Sequence, residues 1–188
     1  MSITIALAGN PNCGKTTLFN CITQFYHPDQ GEVIFRTKTG EVENLVGEKV
    51  HNIIRKGLVR TFQNVEVVKE IPIIDNVLVG AHIDYKCSGL SHILRLPKAR
   101  AEEEAQREKA KEVLKKLGIY ELRNQLTGGQ PYGVLKKVEM ARALMCEPKL
   151  IILDEPAAGL DDTETEALAK TIYDIRDQFN CTMLLIEH

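Results

Sequence analysis

Hydrophobic positions follow two rhythms along this chain. Short continuous apolar runs, ITIALAG (3–9), GLVRTFQ (57–63), LIILDEP (150–156) and TMLLIE (182–187), are bounded by turn or polar residues and predict buried strands. Between them, apolar residues recur every three or four positions, the period of a helix with one buried face. This spacing predicts helices after Gly14, with Leu18, Ile22 and Phe25 on one face, and over 71–84, 98–117, 134–145 and 163–178. HPDQG (27–31) reads as a turn, followed by strand-like pieces around Gly40.

Local chemistry sharpens some of these boundaries. Asp75 is expected to cap the helix over 71–84, because its carboxylate can accept from free backbone amides. Within 98–117, Glu103–Arg107 and Glu112–Lys116 are spaced to pair along a solvated face, and Gly118 is expected to end the helix. Strands alternating with helices predict an α/β fold with a mostly parallel sheet. The chain reads as one domain, 1–188, with a core from 1–63 and 149–188 and a nearly all-helical block, about 64–148, inserted on it.

Composition narrows the setting. The formal charge of −2, with Lys and Arg spread along the chain, offers no electrostatic basis for nucleic acid as a main partner. The cysteines at 13, 21, 87, 146 and 181 are odd in number and scattered, which argues against a disulfide framework or zinc site and fits a reducing cytosol. The first residues lack the basic segment of a signal peptide, and no run approaches the roughly 18 apolar residues that span a bilayer. The expectation is a cytoplasmic protein without direct membrane insertion, any membrane role coming through a partner.

The candidate chemistry sits where strands end. Gly9, four residues, then Gly14-Lys15-Thr16 form a Walker A pattern between a predicted strand and helix. Its glycines let backbone N–H groups turn onto phosphates, Lys15 reaches the β and γ oxygens, and the Thr16 hydroxyl can hold Mg²⁺. Gly9, Asn10, Pro11, Asn12, Cys13, Gly14, Lys15, Thr16 and Thr17 are the candidate nucleotide-binding residues. Cys13, beside Lys15 and a helix start, stands where a thiolate is favoured, although a small filler of a tight turn is the simpler reading. LIILDE (150–155) is a Walker B strand: Asp154 is placed on the Mg²⁺ side of the phosphates, and Glu155 can orient the water that attacks the γ-phosphate.

GLVRTFQN (57–64), PYGVLKKVEMARAL (131–144), EPKLIILDEPAAGLD (147–161) and LLIEH (184–188) together resemble ABC-type ATPases, most nearly the ATPase subunits of branched-chain amino-acid importers. LRLPKARAEEEAQREKA (94–110) is similar to the helical segment of that group. The resemblance implies a P-loop NTPase core with a helical signature subdomain, ATP and Mg²⁺ as cofactors, and hydrolysis coupled to transport. It implies that Gln63 contacts Mg²⁺ or water, that Gly159, Leu160 and Asp161 form the D-loop, and that His188 hydrogen-bonds the γ-phosphate. Gln63, Thr16 and Asp154 are then the metal residues, and Glu155, His188, Gln63 and Lys15 the catalytic ones. Partners implied are a second ATPase subunit, in a homo- or heterodimer, and membrane permease subunits holding the protein on the inner face of the membrane.

The LTGGQ string (126–130) looks like the family's signature, yet ARAL begins at Ala141, and the family's interval places the signature at QPYGV (130–134). Pro131, Tyr132, Gly133 and Val134 are therefore the residues expected to meet a partner's nucleotide. Relative to the family, the chain starts at the strand before the phosphate loop, without the adenine-stacking aromatic segment, and stops at His188. ALAGNPNCGKTTLFN (6–20) is instead similar to the phosphate loop of the GTPase domain of bacterial ferrous-iron transport protein B. That alternative, a GTP-binding protein, needs a D-x-x-G switch and an N/T-K-x-D base motif, and neither is present. A non-catalytic nucleotide-binding fragment is the third reading.

Overall fold

A computed structural model describes residues 15–61 and 66–186, with Lys15 and Thr16 described by their backbone alone. The strand expected at 3–9, the loop Gly9–Gly14, Gln63 and His188 lie outside the described residues.

Three apolar runs form the expected parallel sheet. β3 (Leu58–Arg60), β4 (Leu150–Asp154) and β5 (Thr182–Ile186) lie side by side with β4 in the middle. Leu58 pairs with Leu150, and Leu150 with Thr182, so the strands start and finish together. Ile151, Ile152 and Leu153 are all buried, because β4 is covered on both faces. Ile151 and Leu153 face a helical core, whereas Ile152 faces a second cluster with Phe19, Leu45, Ile53 and Leu58. An antiparallel pair, β1 (Ile34–Arg36) and β2 (Val42–Asn44), turns at Gly40, whose φ of +92° suits glycine. α2 (Val50–Lys56) follows it and leads into β3.

α1 (Lys15–Ile22) shows a different buried face from the expected one. Phe19 is buried, Ile22 packs beside it, and Leu18 and Phe25 are exposed. The helix ends before Phe25, so the Leu18–Ile22–Phe25 stripe is not a face at all. Gln24 closes this end: its φ is +59°, and its side-chain oxygen accepts from the Gly47 N–H at 2.8 Å.

The segment between β3 and β4 is mainly helical. α3 (Ile73–Val79) runs into a 3₁₀ turn over Gly80–Asp84, so the helix expected over 71–84 changes its winding at Gly80. Pro72 occupies the cap position and Asp75 lies in the first turn, where it takes Arg107 at 3.2 Å instead of capping. α4 (Gly89–Ile93) is short, and α5 (Pro97–Lys116) is the long charged helix, ending as expected near Gly118 with φ +69°. The expected pairs along α5 are replaced: Arg107 reaches across to Asp75, Lys115 takes Glu112 at 2.6 Å, and Lys116 lies over the Phe179 ring at 4.3 Å. An N–H donor finds whichever carboxylate packing brings near, and the helical spacing is only one source.

α6 (Tyr132–Met145) buries Val138, Met140, Ala141, Leu144 and Met145 against α3, α5 and β4. α3 and α6 meet closely at Gly80, where a Cβ would stand 2.1 Å from the Arg142 carbonyl oxygen. α7 (Asp162–Phe179) covers the same face of the sheet through Leu168, Ile172 and Ile175.

Candidate nucleotide site

Parallel strands that start together also end together, and the crevice beyond their carboxyl ends is where open α/β sheets hold ligands. Arg60, Asp154 and Ile186 close β3, β4 and β5 at this edge. Arg60 lies in register with Ile152, so it shares the face that also carries Asp154, two residues further along β4. Its guanidinium forms an ion pair with Asp154 and donates to Asn20 Oδ1 of α1 at 2.6 Å. The pair is mostly buried, with 9% and 16% of the two side chains exposed. One cation therefore ties the Walker B carboxylate to the helix that follows the Walker A loop.

Glu155 leaves the strand at a sharp turn. Its φ is +45°, a left-handed conformation unusual for a side chain this size. The turn is held by the Glu155 N–H donating to Ile186 O at 2.9 Å and by Ala158 N–H donating to Glu155 O at 3.1 Å. Adjacent strand residues point to opposite faces; the break in φ ends that alternation and separates the two acids. Strain of this kind, of order 1–3 kcal/mol, persists where surrounding structure over-determines it and concentrates at functional sites.

The segment following Glu155 turns at Gly159, with φ +80°, and enters α7 through Asp161. Asp161 Oδ1 accepts from the Glu164 N–H at 2.8 Å while the Glu164 carboxylate accepts from the Asp161 N–H at 3.3 Å. This reciprocal capping box pins the expected D-loop, and Leu160 packs on the helical core.

Pro131 stands at the cap of α6, with Tyr132, Gly133 and Val134 in its first turn. Pro131 and Gly133 are exposed, and no atom lies within 4 Å of where a Gly133 Cβ would sit. LTGGQ, by contrast, is built into the fold. Thr127 is buried, its hydroxyl donating to Ile71 O at 2.9 Å and accepting from Asn76 Nδ2 at 2.7 Å. Asn76 also bonds the Val68 backbone through both ends of its amide. Gly128 lies against Lys69, so a Cβ there would stand 3.0 Å from the Lys69 carbonyl oxygen.

Among the predicted site residues, the structure gathers Asp154 and Glu155 at the strand edge, places Thr17 exposed on α1, and leaves Pro131–Val134 on a separate exposed helix start. Arg60 and Asn20 belong with the site and were missed by the sequence reading. A signal existed: Arg60 and Asp154 are opposite charges closing two apolar strands.

The donor set fits magnesium. Among the described residues no three His, Cys, Asp or Glu side chains gather as a metal cage. A single oxygen-bearing carboxylate, Asp154, beside a hydroxyl-bearing loop is the ligand pattern of Mg²⁺ held largely by phosphates and water.

Comparison with known proteins gives a consistent family. The family described as ABC transporter matches residues 2–158. The high-affinity branched-chain amino acid transport ATP-binding protein BraF of Pseudomonas aeruginosa is 39% identical over 184 residues, covering 98% of this chain and 70% of that protein. LivG of Escherichia coli K12, with the same description, is 38% identical over 98% of this chain and 70% of its own length. Among solved structures, the ADP conformation of MJ1267, an ATP-binding cassette of an ABC transporter, superposes with TM-score 0.72 at 31% identity. That superposition covers 93% of this chain and 66% of the cassette, so the chain spans just under two thirds of its length. The cbiO1 protein from Clostridium perfringens, at 24% identity and TM-score 0.71, shares the fold.

Proposed function

This chain belongs to the ABC transporter family, and from that premise we propose that it binds ATP and hydrolyses it to ADP and phosphate as a transporter's nucleotide-binding subunit, serving amino-acid import. The observation that carries the reading is the Arg60 clamp: it joins α1, the helix entered from the phosphate loop, to the acid end of β4.

In this reading Gly9–Gly14 and Lys15 cradle the phosphates, with the start of α1 adding its positive dipole end. Thr16, Asp154 and Gln63 hold magnesium, which when bound supplies neutralising charge to the β and γ oxygens. Glu155 orients a water toward the γ-phosphorus and takes its proton, and His188 hydrogen-bonds the γ-phosphate. Glu155 suits that task because its strained turn projects it beyond the strand edge. Pro131–Val134 meet the nucleotide of a second ATPase subunit through backbone amides, and Gly159–Asp161 communicate across that dimer. Residues 1–63 and 149–188 form the catalytic core, and the helices within 64–148 engage a permease at the inner face of the membrane. The names of the relatives support amino acids as the transported class.

The test is Mg²⁺-dependent thermal stabilisation by ATP and GTP, with phosphate release measured for the chain and for Glu155→Gln. The expected result is an ATP-selective shift, with release lost in the variant while binding persists. A GTP-selective shift would transfer the assignment to a guanine-nucleotide switch. Equal shifts without turnover would leave a nucleotide-binding fragment only.

A further inference from the structure

α4 is turned inside out. In an amphipathic helix the apolar face is buried and the polar face meets water. In α4 the inward positions are polar: the His92 ring meets Tyr85 edge-on at 5.1 Å, and its Nε2 lies 3.3 Å from Glu102 Oε2. The outward positions are aliphatic. Leu90, Ile93 and Leu94, spaced three and four apart, are 64%, 78% and 61% exposed, and Leu96 beyond the helix is 45% exposed.

This knuckle is a built shape. Glu102 accepts from the Lys86 and Cys87 N–H groups at 2.7 and 3.2 Å, and Ser88 Oγ accepts from the Ser91 N–H. At the other end Arg95 adopts φ +50°, with Leu96 N–H donating to Ser91 O and Arg95 N–H to His92 O. That is a Schellman closure, the two bonds that satisfy a helix's last carbonyls. Its usual companion, an apolar contact that hides the flanking side chains, leaves Leu90 and Leu96 substantially in water here.

Charge identifies the occupant. From Ser88 to Ala101 there is no acidic residue, while Arg95, Lys98 and Arg100 are all exposed and, among the described residues, form no ion pair. Four aliphatic side chains with no aromatic among them are a small surface for a protein interface, which ordinarily buries about 800 Å² per partner around aromatic or Arg anchors. Exposed aliphatic residues flanked by cations suit the boundary between anionic headgroups and acyl chains.

We propose that α4 and the Leu94–Leu96 corner dock directly on an anionic lipid bilayer, Leu90, Ile93 and Leu94 entering the headgroup boundary while Arg95, Lys98 and Arg100 meet lipid phosphates. The contact is interfacial; among the described residues no helix is long and apolar enough to cross a membrane. The sequence reading assigned membrane contact wholly to a partner, and this surface adds a direct one.

The full chain has no tryptophan, so Ile93→Trp makes a single fluorescent reporter at an exposed position. On vesicles of phosphatidylcholine with phosphatidylglycerol, its emission is expected to shift to the blue, with little change on phosphatidylcholine alone. In co-sedimentation, Leu94→Glu is expected to lose most binding, and each charge reversal at Arg95 or Lys98 to weaken it by at least roughly fivefold. Unaltered melting temperatures for these surface variants separate lost docking from lost folding. An unshifted reporter, or wild-type binding that Leu94→Glu leaves intact, overturns the proposal. Self-association abolished by Leu94→Glu without lipid binding overturns it equally, in favour of a second copy as the occupant.

Discussion

Arg60 and Asp154 are joined by a mostly buried ion pair across two neighbouring parallel strands, and the same guanidinium holds Asn20 on α1. The arrangement makes the orientation of the first helix depend on the acid end of the sheet.

Removing the cation leaves the carboxylate in a largely water-excluded place. Arg60→Ala is expected to destabilise the fold by about 2–3 kcal/mol, the scale of a charged partner left unmatched. Asn20→Ala is expected to cost about 1 kcal/mol, a single hydrogen bond. Combined, the two substitutions should cost hardly more than Arg60→Ala alone, because both break one network. Urea midpoints would decide it: full additivity would mean that Asn20 and Arg60 act separately.

Gly80 is required by space. Its φ of −64° suits any residue, yet a Cβ would collide with the Arg142 carbonyl and force α3 from α6. Gly80→Ala is expected to cost at least about 1–3 kcal/mol as overpacking. Gly89→Ala, with nothing within 4 Å, serves as the matched control and should leave the melting temperature almost unchanged.

Asp161 caps α7 through a reciprocal box with Glu164. Replacing it with Ala is expected to cost about 1 kcal/mol, lowering the melting temperature by roughly 2–4 °C, and Asn should retain most of the cap. A larger loss for Asn than for Ala would show that charge at the helix start matters more than the hydrogen bond.

Burial pushes the Cys146 thiol up from 9.0 to about 11, with Asp84 adding to the shift. Between those values the unfolded chain releases this proton and the folded one retains it. Stability therefore falls as pH rises from 9 to 11, by roughly 2–3 kcal/mol from this group. Cys146→Ala should flatten that part of the pH–stability curve, measured by denaturant melts at stepped pH. An unchanged slope would assign the loss to other groups.

Much of this architecture was legible beforehand because its signals are local. The apolar runs 150–156 and 182–187 became β4 and β5, and GLVRTFQ contributed β3, because buried parallel strands are continuous in apolar residues. Helix starts were harder. Asp75 has the right chemistry for a cap, but Pro72 enters the helix first and Arg107 claims the carboxylate. The signature interval pointed to Gln130–Val134, and the fold gives an independent reason to set LTGGQ apart: Thr127 and Gly128 are consumed by packing against Ile71, Asn76 and Lys69.

The sequence by itself determined what could be written in neighbouring residues: strand and helix type, the phosphate-loop pattern, and the paired acids at 154 and 155. Tertiary structure alone decided who meets whom. It buried Phe19 and exposed Leu18, placed Arg60 against a carboxylate 94 residues away, and set an apolar face of α4 toward solvent. Periodicity marks a face within one segment. Which neighbour that face finds depends on register and close packing between segments far apart in the chain, and no local pattern carries that information.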